Sequence, residues 1–341
     1  MTDVRGVTAP PLELPTVDLR AEPGRLRDAL RDAGHQVGFF YLTGHGVPPG
    51  LVARILDAAR RLFALPQPDK DAIAMVRSPH FRGYTRLGGE LTRGQVDWRE
   101  QIDIGPERPP IDGLRTSDYR WLQGPNQWPA ALPDLPGIVE EWDAALSAVA
   151  RTLLRHWAAS LGSPPDVFDA AFADAPATLI KIIRYPRHAA STQGVGAHRD
   201  AGVLTLLLAE PGSTGLQVRP ARDSQQGWID VPPRQGALIV NIGELLEVAT
   251  RGYLRATEHR VNLKKPAVDR ISVPFFFNPR LDAQIPVLSL PGELEAHAQR
   301  VDDPSDPMFA IYGRNAWKSR LRAHPDVAAA HGYSAERLEN G

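Results

Sequence analysis

The sequence predicts a mainly β protein with flanking helices, in which an α/β lobe precedes a β-sandwich or barrel of jelly-roll type. After residue 177 the chain has seven short strand-like runs separated by Gly, Pro and Asn, a pattern typical of such a sandwich. Before that point, apolar residues at helical spacing predict amphipathic helices. The 32 prolines suit a loop-rich enzyme better than a helical bundle.

The first 134 residues predict the N-terminal lobe. Pro49 opens a helix whose apolar residues, including Val52, Ile55 and Leu56, recur on one face. Residues 77–134 are rich in Gly, Pro and Arg, which predicts long loops and short strands. In order, the lobe is predicted to contain strands at 14–20 and 38–48, helices at 24–34 and 49–64, and a strand at 100–105.

The rest of the chain predicts helices and the β core at 135–322, followed by a C-terminal tail at 323–341. Ile138, Trp142 and Leu146 belong to one buried stripe of a long helix at 135–162. Further helices are predicted at 165–173, 244–252 and 306–323. The predicted strands are 178–186, 202–210, 215–221, 227–233, 236–243, 255–263 and 270–279.

Composition excludes several classes of protein. A chain of 341 residues with 43% apolar and 23% charged residues is typical of a soluble globular protein. The net charge of −1 gives no electrostatic basis for binding nucleic acid or an anionic membrane. Without cysteine there are no disulfides or thiolate metal sites. The start lacks a signal-peptide pattern and no apolar run is long enough to span a membrane, so we expect a cytoplasmic protein. The sequence makes no prediction of oligomeric state.

Two imidazoles and a carboxylate form the strongest candidate site: His198, Asp200 and His259. Alternate side chains of an extended chain point the same way, so His198 and Asp200 can face one metal while Arg199 faces away. A strand at 255–263, paired nearby, can supply His259. Two histidines and one carboxylate are the facial triad that binds ferrous iron and leaves positions open for other ligands. The alternative is a coincidental cluster of polar residues at the surface.

Arg270 and Ser272 share one strand face by the same alternation. A guanidinium can make two charge-assisted hydrogen bonds to one carboxylate, and the serine hydroxyl can add a third. This pair is therefore a candidate carboxylate anchor. The alternative is that Arg270 belongs to an ordinary ion pair.

An ordered series of motifs from about residue 14 to 322 resembles one enzyme family. The core of the isopenicillin N synthase-like iron(II)/2-oxoglutarate oxygenases is similar to "GAHRDAGVLTLLL", "GLQV", "GWIDVPPRQGALIVNIGE", "EHRV" and "RISVPFFFNP". The N-terminal lobe of that family is similar to "LPTVDL" and "GFFYLTGHGVP". The resemblance implies a double-stranded β-helix core and a 2-oxoglutarate-dependent dioxygenase that oxidises a C–H bond of a small molecule, most simply by hydroxylation.

The resemblance also implies the ligands of this site. Fe(II), the cosubstrate 2-oxoglutarate and O2 would meet there. Iron is implied on His198, Asp200 and His259, and the distal carboxylate of 2-oxoglutarate on Arg270 and Ser272 with help from the Tyr185 hydroxyl.

One departure from the family pattern keeps other functions open. Many members that use 2-oxoglutarate have Asn-Tyr-Tyr-Pro where this chain has Ile183-Arg184-Tyr185-Pro186. The Arg-Tyr-Pro version resembles isopenicillin N synthase itself, in which the Arg-x-Ser pair holds a substrate carboxylate. A 2-oxoglutarate-independent oxidase or cyclase is therefore the second hypothesis. A small-molecule binding protein with an idle metal site is the third.

Substrate contacts are predicted where the N-terminal loops cover the mouth of the core. An anionic or aromatic small molecule is the expected ligand, although each candidate can equally be loop or core material. Asn241 and Gly243 either support the metal from behind or are simple turn residues. The candidate substrate contacts are Phe81, Tyr84, Arg86, Arg93, Phe275 and Phe277.

Overall fold

The computed structural model describes residues 13–188, 191–220, 227–264, 268–299 and 306–334. Eight α-helices occur in these ranges, and the second spans the predicted residues 49–64. Proline occupies a first-turn position of that helix, where the missing N–H has no intrahelical acceptor. The helices are α1 (Pro23–Gln36), α2 (Pro49–Ala64), α3 (Gln67–Ala72), α4 (Leu135–Ser160), α5 (Glu244–Ala249), α6 (Gly292–Glu295), α7 (Tyr312–Ala323) and α8 (Pro325–Ala330).

Fourteen strands occur in the same ranges, and all seven predicted after residue 177 are among them. The first six are β1 (Thr16–Asp18), β2 (Phe39–Thr43), β3 (Gly83–Thr85), β4 (Leu91–Thr92), β5 (Gln95–Val96) and β6 (Glu100–Ile104). The others are β7 (Leu179–Tyr185), β8 (Gln193–His198), β9 (Leu204–Ala209), β10 (Leu216–Arg219), β11 (Ile229–Asp230), β12 (Leu238–Ile242), β13 (Glu258–Asn262) and β14 (Arg270–Phe277).

The strands form two main sheets that face each other as in a jelly roll. The larger sheet has eight strands in the order β1-β2-β12-β9-β14-β7-β6-β3, and the smaller has four in the order β11-β10-β13-β8. Strands β4 and β5 form a separate hairpin. Since β1, β2, β3 and β6 extend both edges of the larger sheet, the predicted N-terminal lobe is built into the same framework as the core. The division at residue 134 remains a prediction.

The larger sheet has an outer face packed on helices and an inner face toward the smaller sheet. On β14 the outer residues are odd-numbered, and Phe275 and Phe277 are fully buried in the main hydrophobic core. Trp142 and Leu146 of α4 belong to the same core. Even-numbered residues of β14, among them Phe276, line a cavity of about 1110 Å³. The alternation of a strand therefore separates core from cavity.

Four local predictions differ from the structure. The helix expected at 165–173 is only a 3₁₀ turn at Asp169–Phe172. The helix expected from 306 begins at Tyr312, after a proline-containing segment. Strand β8, which carries the first candidate histidine, was not predicted because its run "QGVGAH" has little apolar character.

The predicted tail also differs from the structure at its beginning. Helix α8 follows α7 directly, and Val327 and Tyr333 pack in a cluster with Phe81 and Trp317. Residues 335–341 of the predicted tail and residues 1–12 of the predicted lobe lie outside the described residues. Among the helices that the structure describes, none is both long and apolar enough to cross a membrane.

Candidate functional site

His198 and His259 lie side by side in the smaller sheet. They are direct partners in the register of β8 and β13, and their ring centroids are 4.3 Å apart. The Nδ1 atom of His198 lies 2.8 Å from the Gly196 carbonyl oxygen, and that of His259 lies 3.1 Å from the Thr257 carbonyl oxygen. A carbonyl only accepts, so each Nδ1 carries the proton and each Nε2 has a free lone pair.

Asp200 completes the group two residues after the end of β8. Its Oδ1 lies 3.6 Å from Nε2 of His198 and 3.7 Å from Nε2 of His259. Its Oδ2 accepts hydrogen bonds from the Thr205 hydroxyl at 2.5 Å and from the Asn241 amide at 2.8 Å. Thr205 and Asn241 are register partners on β9 and β12. The larger sheet thus fixes one carboxylate oxygen and leaves the other facing the histidines.

A glycine permits the loop after Asp200 to approach α5. A Cβ on Gly243 would lie 2.2 Å from the Gly202 carbonyl oxygen. The N–H of Glu244 donates to the Asp200 carbonyl at 2.8 Å, and the N–H of Leu245 donates to the Gly202 carbonyl at 3.0 Å. Gly243 therefore permits the backbone at the start of α5 to pack against the loop that carries Asp200.

The electrostatics of the three residues favour metal binding. Burial and, to a smaller extent, the neighbouring His198 together lower the pKa of His259 to about 4, so this imidazole is neutral at pH 7. Burial alone would raise the pKa of Asp200, but His259 and His198 outweigh it and hold that pKa well below its usual range. Burial opposes the charge of His198, yet its contacts with Asp200 raise its pKa. A neutral imidazole and an ionised carboxylate are the protonation states that bind a divalent cation.

The donor set fits iron(II). All three ligand atoms lie within 4.8 Å of one another. Two imidazole nitrogens and one carboxylate oxygen, each fixed by a hydrogen bond through its other polar atom, are what a ferrous facial triad requires. The cavity beside them leaves room for further ligands.

Arg270 and Ser272 lie at the start of β14 and line the same cavity. Both are almost fully buried, and Nη1 of Arg270 donates to the Ser272 hydroxyl at 3.3 Å. The Arg270 guanidinium lies over the Tyr185 ring at 4.7 Å, since the two are register partners on β14 and β7. No described carboxylate forms an ion pair with Arg270. A buried cation of this kind requires an anionic ligand.

The structure separates the predicted substrate residues. Arg93 lines the rim of the cavity, where Nη1 lies 3.4 Å from a Glu258 carboxylate oxygen. Phe81 is fully buried against Trp317 and Tyr333, away from the cavity. The prediction of Phe81 as a substrate contact is therefore wrong.

The other four predicted contacts also lie outside the cavity lining, so those predictions are wrong. Tyr84 is buried with its hydroxyl donating to Glu100 at 2.5 Å, and Arg86 is exposed in an ion pair with Asp71. Phe275 and Phe277 face the helices, so the prediction selected the wrong face of β14, and Phe276 lines the cavity instead.

A row of register partners across the larger sheet forms the floor of the site. Of this row, only Asn241 was identified as a candidate from the sequence. The row runs across β2, β12, β9, β14 and β7. Thr205 is the sole polar residue in the run "LTLLLA", and that signal could have identified it. The row consists of Phe39, Asn241, Thr205, Phe276 and Leu179.

A second group of buried charges lies further along the cavity and is internally paired. Glu90 accepts from Arg99 at 2.7 Å and from Lys181 at 2.7 Å. Asp103 accepts from Arg320 at 2.5 Å and lies 3.5 Å from Lys181. We call this group the ion-pair cluster; it consists of Glu90, Asp97, Arg99, Asp103, Lys181 and Arg320.

Two regions of the chain match known families. Residues 14–131 match the family described as non-haem dioxygenase in morphine synthesis N-terminal. Residues 177–279 match the family described as 2OG-Fe(II) oxygenase superfamily. The second region contains all three candidate metal ligands and the Arg-x-Ser pair.

Curated relatives are similar over most of their length. The chain is 33% identical to the 2-oxoglutarate-dependent dioxygenase frbJ of Dothideomycetidae sp. (strain 11243), over 92% of this chain and 90% of that protein. It is 32% identical to a homoarginine-6-hydroxylase of Glycine max, over 86% and 88% of the two chains. It is also 33% identical to clavatol oxidase of Penicillium crustosum, over 82% and 86%.

Solved structures share the fold. A 2OG-Fe(II) oxygenase family protein from Caulobacter crescentus superposes with a TM-score of 0.72 at 26% identity, covering 91% of this chain and 98% of that one. The dioxygenase for auxin oxidation in rice superposes with a TM-score of 0.64 at 26% identity, covering 95% and 98%. The predicted jelly-roll core is thereby confirmed.

Proposed function

Because the chain belongs to the 2-oxoglutarate/iron(II) oxygenase superfamily, we propose that His198, Asp200 and His259 hold its iron and that Arg270 and Ser272 anchor its 2-oxoglutarate. The enzyme is a 2-oxoglutarate-dependent dioxygenase that acts on a small molecule with Fe(II) and O2. The first of the three functional hypotheses is therefore confirmed. The observation that carries the residue assignment is the convergence of three oriented donors beside a buried arginine that has no protein carboxylate.

The residues of the site hold and orient the reactants. When bound, iron(II) with 2-oxoglutarate and O2 supplies the oxidation, in which 2-oxoglutarate becomes succinate and CO2 and a substrate C–H bond is oxidised. His198 and His259 present Nε2 because their Nδ1 protons are held by backbone carbonyls. Thr205 and Asn241 hold Oδ2 of Asp200, so Oδ1 is presented in one orientation.

The anchor formed by Arg270 and Ser272 holds the distal carboxylate of 2-oxoglutarate through its charge and its planar shape. Arg270 can donate two parallel hydrogen bonds to the distal carboxylate, and Ser272 can donate one more. The Tyr185 hydroxyl interacts with both Arg270 and Arg99, so it orients the anchor whether or not it contacts the cosubstrate itself. Ile183, the register partner of Ser272, lines the cavity and gives it an apolar wall beside the anchor.

The remaining features favour a small, diffusible substrate. The net charge of −1 provides no positive surface for a polyanion, so we propose that the enzyme acts neither on nucleic acid nor at an anionic membrane. A cavity of about 1110 Å³ is large enough for 2-oxoglutarate and a small molecule together.

The test of the ligand assignment is substitution of Asp200 by Ala. Removal of one metal ligand is expected to reduce succinate formation by about 1000-fold or more, because the oriented oxygen has no substitute. The measurement is succinate produced per enzyme under saturating iron(II) and 2-oxoglutarate. The matched control is Asp282→Ala, at an exposed aspartate outside the cavity. Full activity of Asp200→Ala would refute the assignment.

A further inference from the structure

One buried arginine besides Arg270 has no carboxylate partner. Arg82 is only 7% exposed and lines the same cavity. Its Nη2 donates to the Leu122 carbonyl at 2.9 Å, while its Nε has no hydrogen-bond partner. Within the described residues, no ion pair involves Arg82. A buried guanidinium with an unused donor is unusual in a finished protein core.

The charges around Arg82 do not balance without a ligand. The ion-pair cluster contains three cations, Arg99, Lys181 and Arg320, and three carboxylates, each of which contacts at least one of these cations. Arg82 adds a fourth cation beside Arg320 with no further carboxylate. The region therefore carries one uncompensated positive charge, which a monoanion would neutralise.

Local packing keeps the Arg82 guanidinium in place. A Cβ on Gly105 would lie 2.1 Å from its Nη2, so only glycine leaves room for the side chain there. The Arg82 carbonyl accepts a hydrogen bond from Gln127 at 2.7 Å, which fixes the backbone before β3. The cation is thus preorganised, and little side-chain entropy is lost when it binds an anion.

Arg82 belongs to the same compartment as the metal ligands. Tyr312 and Asn278 line the cavity together with Arg82 and Asp200, and Tyr312 lies within electrostatic range of both. Asn278 in turn packs against the loop after Asp200, where a Cβ on Gly202 would lie 2.0 Å from its Oδ1. A molecule held at Arg82 therefore shares a continuous space with the metal site.

We propose that Arg82 binds the carboxylate of the primary substrate, so that this enzyme oxidises a small carboxylic acid. The inference rests on the proposed function, because Arg270 must be occupied by 2-oxoglutarate for Arg82 to be the free cation. A carboxylate matches both the single excess charge and the planar donor edge of a guanidinium.

Stability measurements separate a ligand-binding role from a structural one. Arg82→Met removes an uncompensated charge at nearly equal volume, so the thermal midpoint of the ligand-free protein is expected to be unchanged or higher. The comparison is Arg320→Met, which removes a cation paired with Asp103 and is expected to lower the midpoint. If Arg82→Met lowered the thermal midpoint as much as Arg320→Met does, Arg82 would have a structural role and the proposal would be overturned.

Binding of matched probes tests the ligand chemistry. The enzyme is loaded with iron(II) and 2-oxoglutarate without oxygen, and its thermal midpoint is measured with benzoate against benzamide and with indole-3-acetate against indole-3-acetamide. At least one acid is expected to bind more tightly than its amide, by about 10- to 100-fold. Arg82→Met is expected to abolish that difference.

A rim cation provides the control for the binding test. Arg93→Met removes an exposed positive charge at the mouth of the same cavity and is expected to keep the preference for acid over amide. Equal binding of acid and amide in both pairs would overturn the proposal. The proposal would also be overturned if the preference for acid over amide persisted in Arg82→Met or disappeared in Arg93→Met.

One spectroscopic measurement separates this inference from the proposed function. The anaerobic complex of enzyme, iron(II) and 2-oxoglutarate is expected to show a metal-to-ligand charge-transfer band in wild type and in Arg82→Met. Absence of the band in wild type would contradict the metal and cosubstrate assignment. A normal band without discrimination between acid and amide would contradict only the role of Arg82.

Discussion

Two groups of buried charges line one cavity, and they differ in how the charges are neutralised. In the ion-pair cluster, Glu90 and Asp103 contact the cations around them directly. At the end of the cavity proposed for metal and cosubstrate, Asp200 faces two imidazoles, and no carboxylate among the described residues forms an ion pair with Arg270. Charges that neutralise each other stabilise a fold, whereas charges without a protein partner bind ligands. Burial alone does not distinguish the two roles.

The largest expected effect concerns the ion-pair cluster. Glu90→Gln removes the carboxylate charge that Arg99 and Lys181 share, and leaves two buried cations without an adequate partner. Although burial opposes ionisation, these cations hold the pKa of Glu90 well below its usual range, so the charged form is the one lost. We expect the free energy of unfolding to fall by about 3–5 kcal/mol, measured by denaturant titration. Glu141→Gln, in an exposed ion pair with Arg54, is expected to change little.

Two adjacent phenylalanines sharpen the contrast between framework and cavity. Phe275→Ala removes a fully buried ring from the main core and is expected to lower the free energy of unfolding by about 3–4 kcal/mol. Phe276→Ala removes a partly buried ring from the cavity floor, so a smaller loss of stability and a higher KM for the substrate are expected. Equal loss of stability in the two variants would contradict the assignment of the two faces of β14.

The cosubstrate anchor is expected to show the opposite behaviour to Glu90. Arg270→Met should weaken 2-oxoglutarate binding by about 100-fold, because charge-assisted hydrogen bonds to the distal carboxylate are lost. Its stability without ligand should be unchanged or higher, since no protein carboxylate loses a partner. The measurement is the KM for 2-oxoglutarate together with a denaturant titration. Arg270→Lys, which keeps the charge without the planar fork, should give an intermediate KM.

The smallest expected effect lies behind the metal. Thr205→Val removes the hydroxyl that donates to Oδ2 of Asp200 and is expected to weaken iron(II) affinity by about 10-fold. Thr205→Ser keeps the hydroxyl and should retain the affinity of wild type. Metal titration of the two variants measures the difference. Equal iron(II) affinity of the two variants would show that the Thr205 hydroxyl does not contribute to metal binding.

Strand and helix positions were largely predictable from the sequence because the chain satisfies local rules. Helix α2 begins at a proline and follows one apolar stripe, so its bounds were predicted to the residue. The seven predicted strands after residue 177 each contain β-branched or large apolar residues between turn formers. Strand β8 has only one such residue, Val195, and its order comes from pairing with β13, which a local sequence pattern does not reveal.

The grouping of the proposed metal ligands, and that of Arg270 with Ser272, was also predictable from alternation along an extended chain. Alternation along β14 places Phe276 on the same face as Arg270 and Ser272. Phe275 and Phe277 lie on the opposite face, which is why they were wrong as predicted substrate contacts. Nothing local indicates that Phe81 packs with the residues of α7 and α8. Contacts across the roof of the cavity depend on how distant segments dock.

By itself the sequence determined the chemistry available to this protein: two imidazoles and an Arg-x-Ser pair on strands, and one aspartate just beyond the end of β8. Only the tertiary structure decided which charges are paired. Arg82, Arg99, Arg270 and Arg320 are all buried cations that line one cavity. Arg99 pairs with Glu90, which lies before β4, and Arg320 of α7 pairs with Asp103 of β6. Electrostatic energy depends on distance in space and on exclusion of water, and chain order specifies neither.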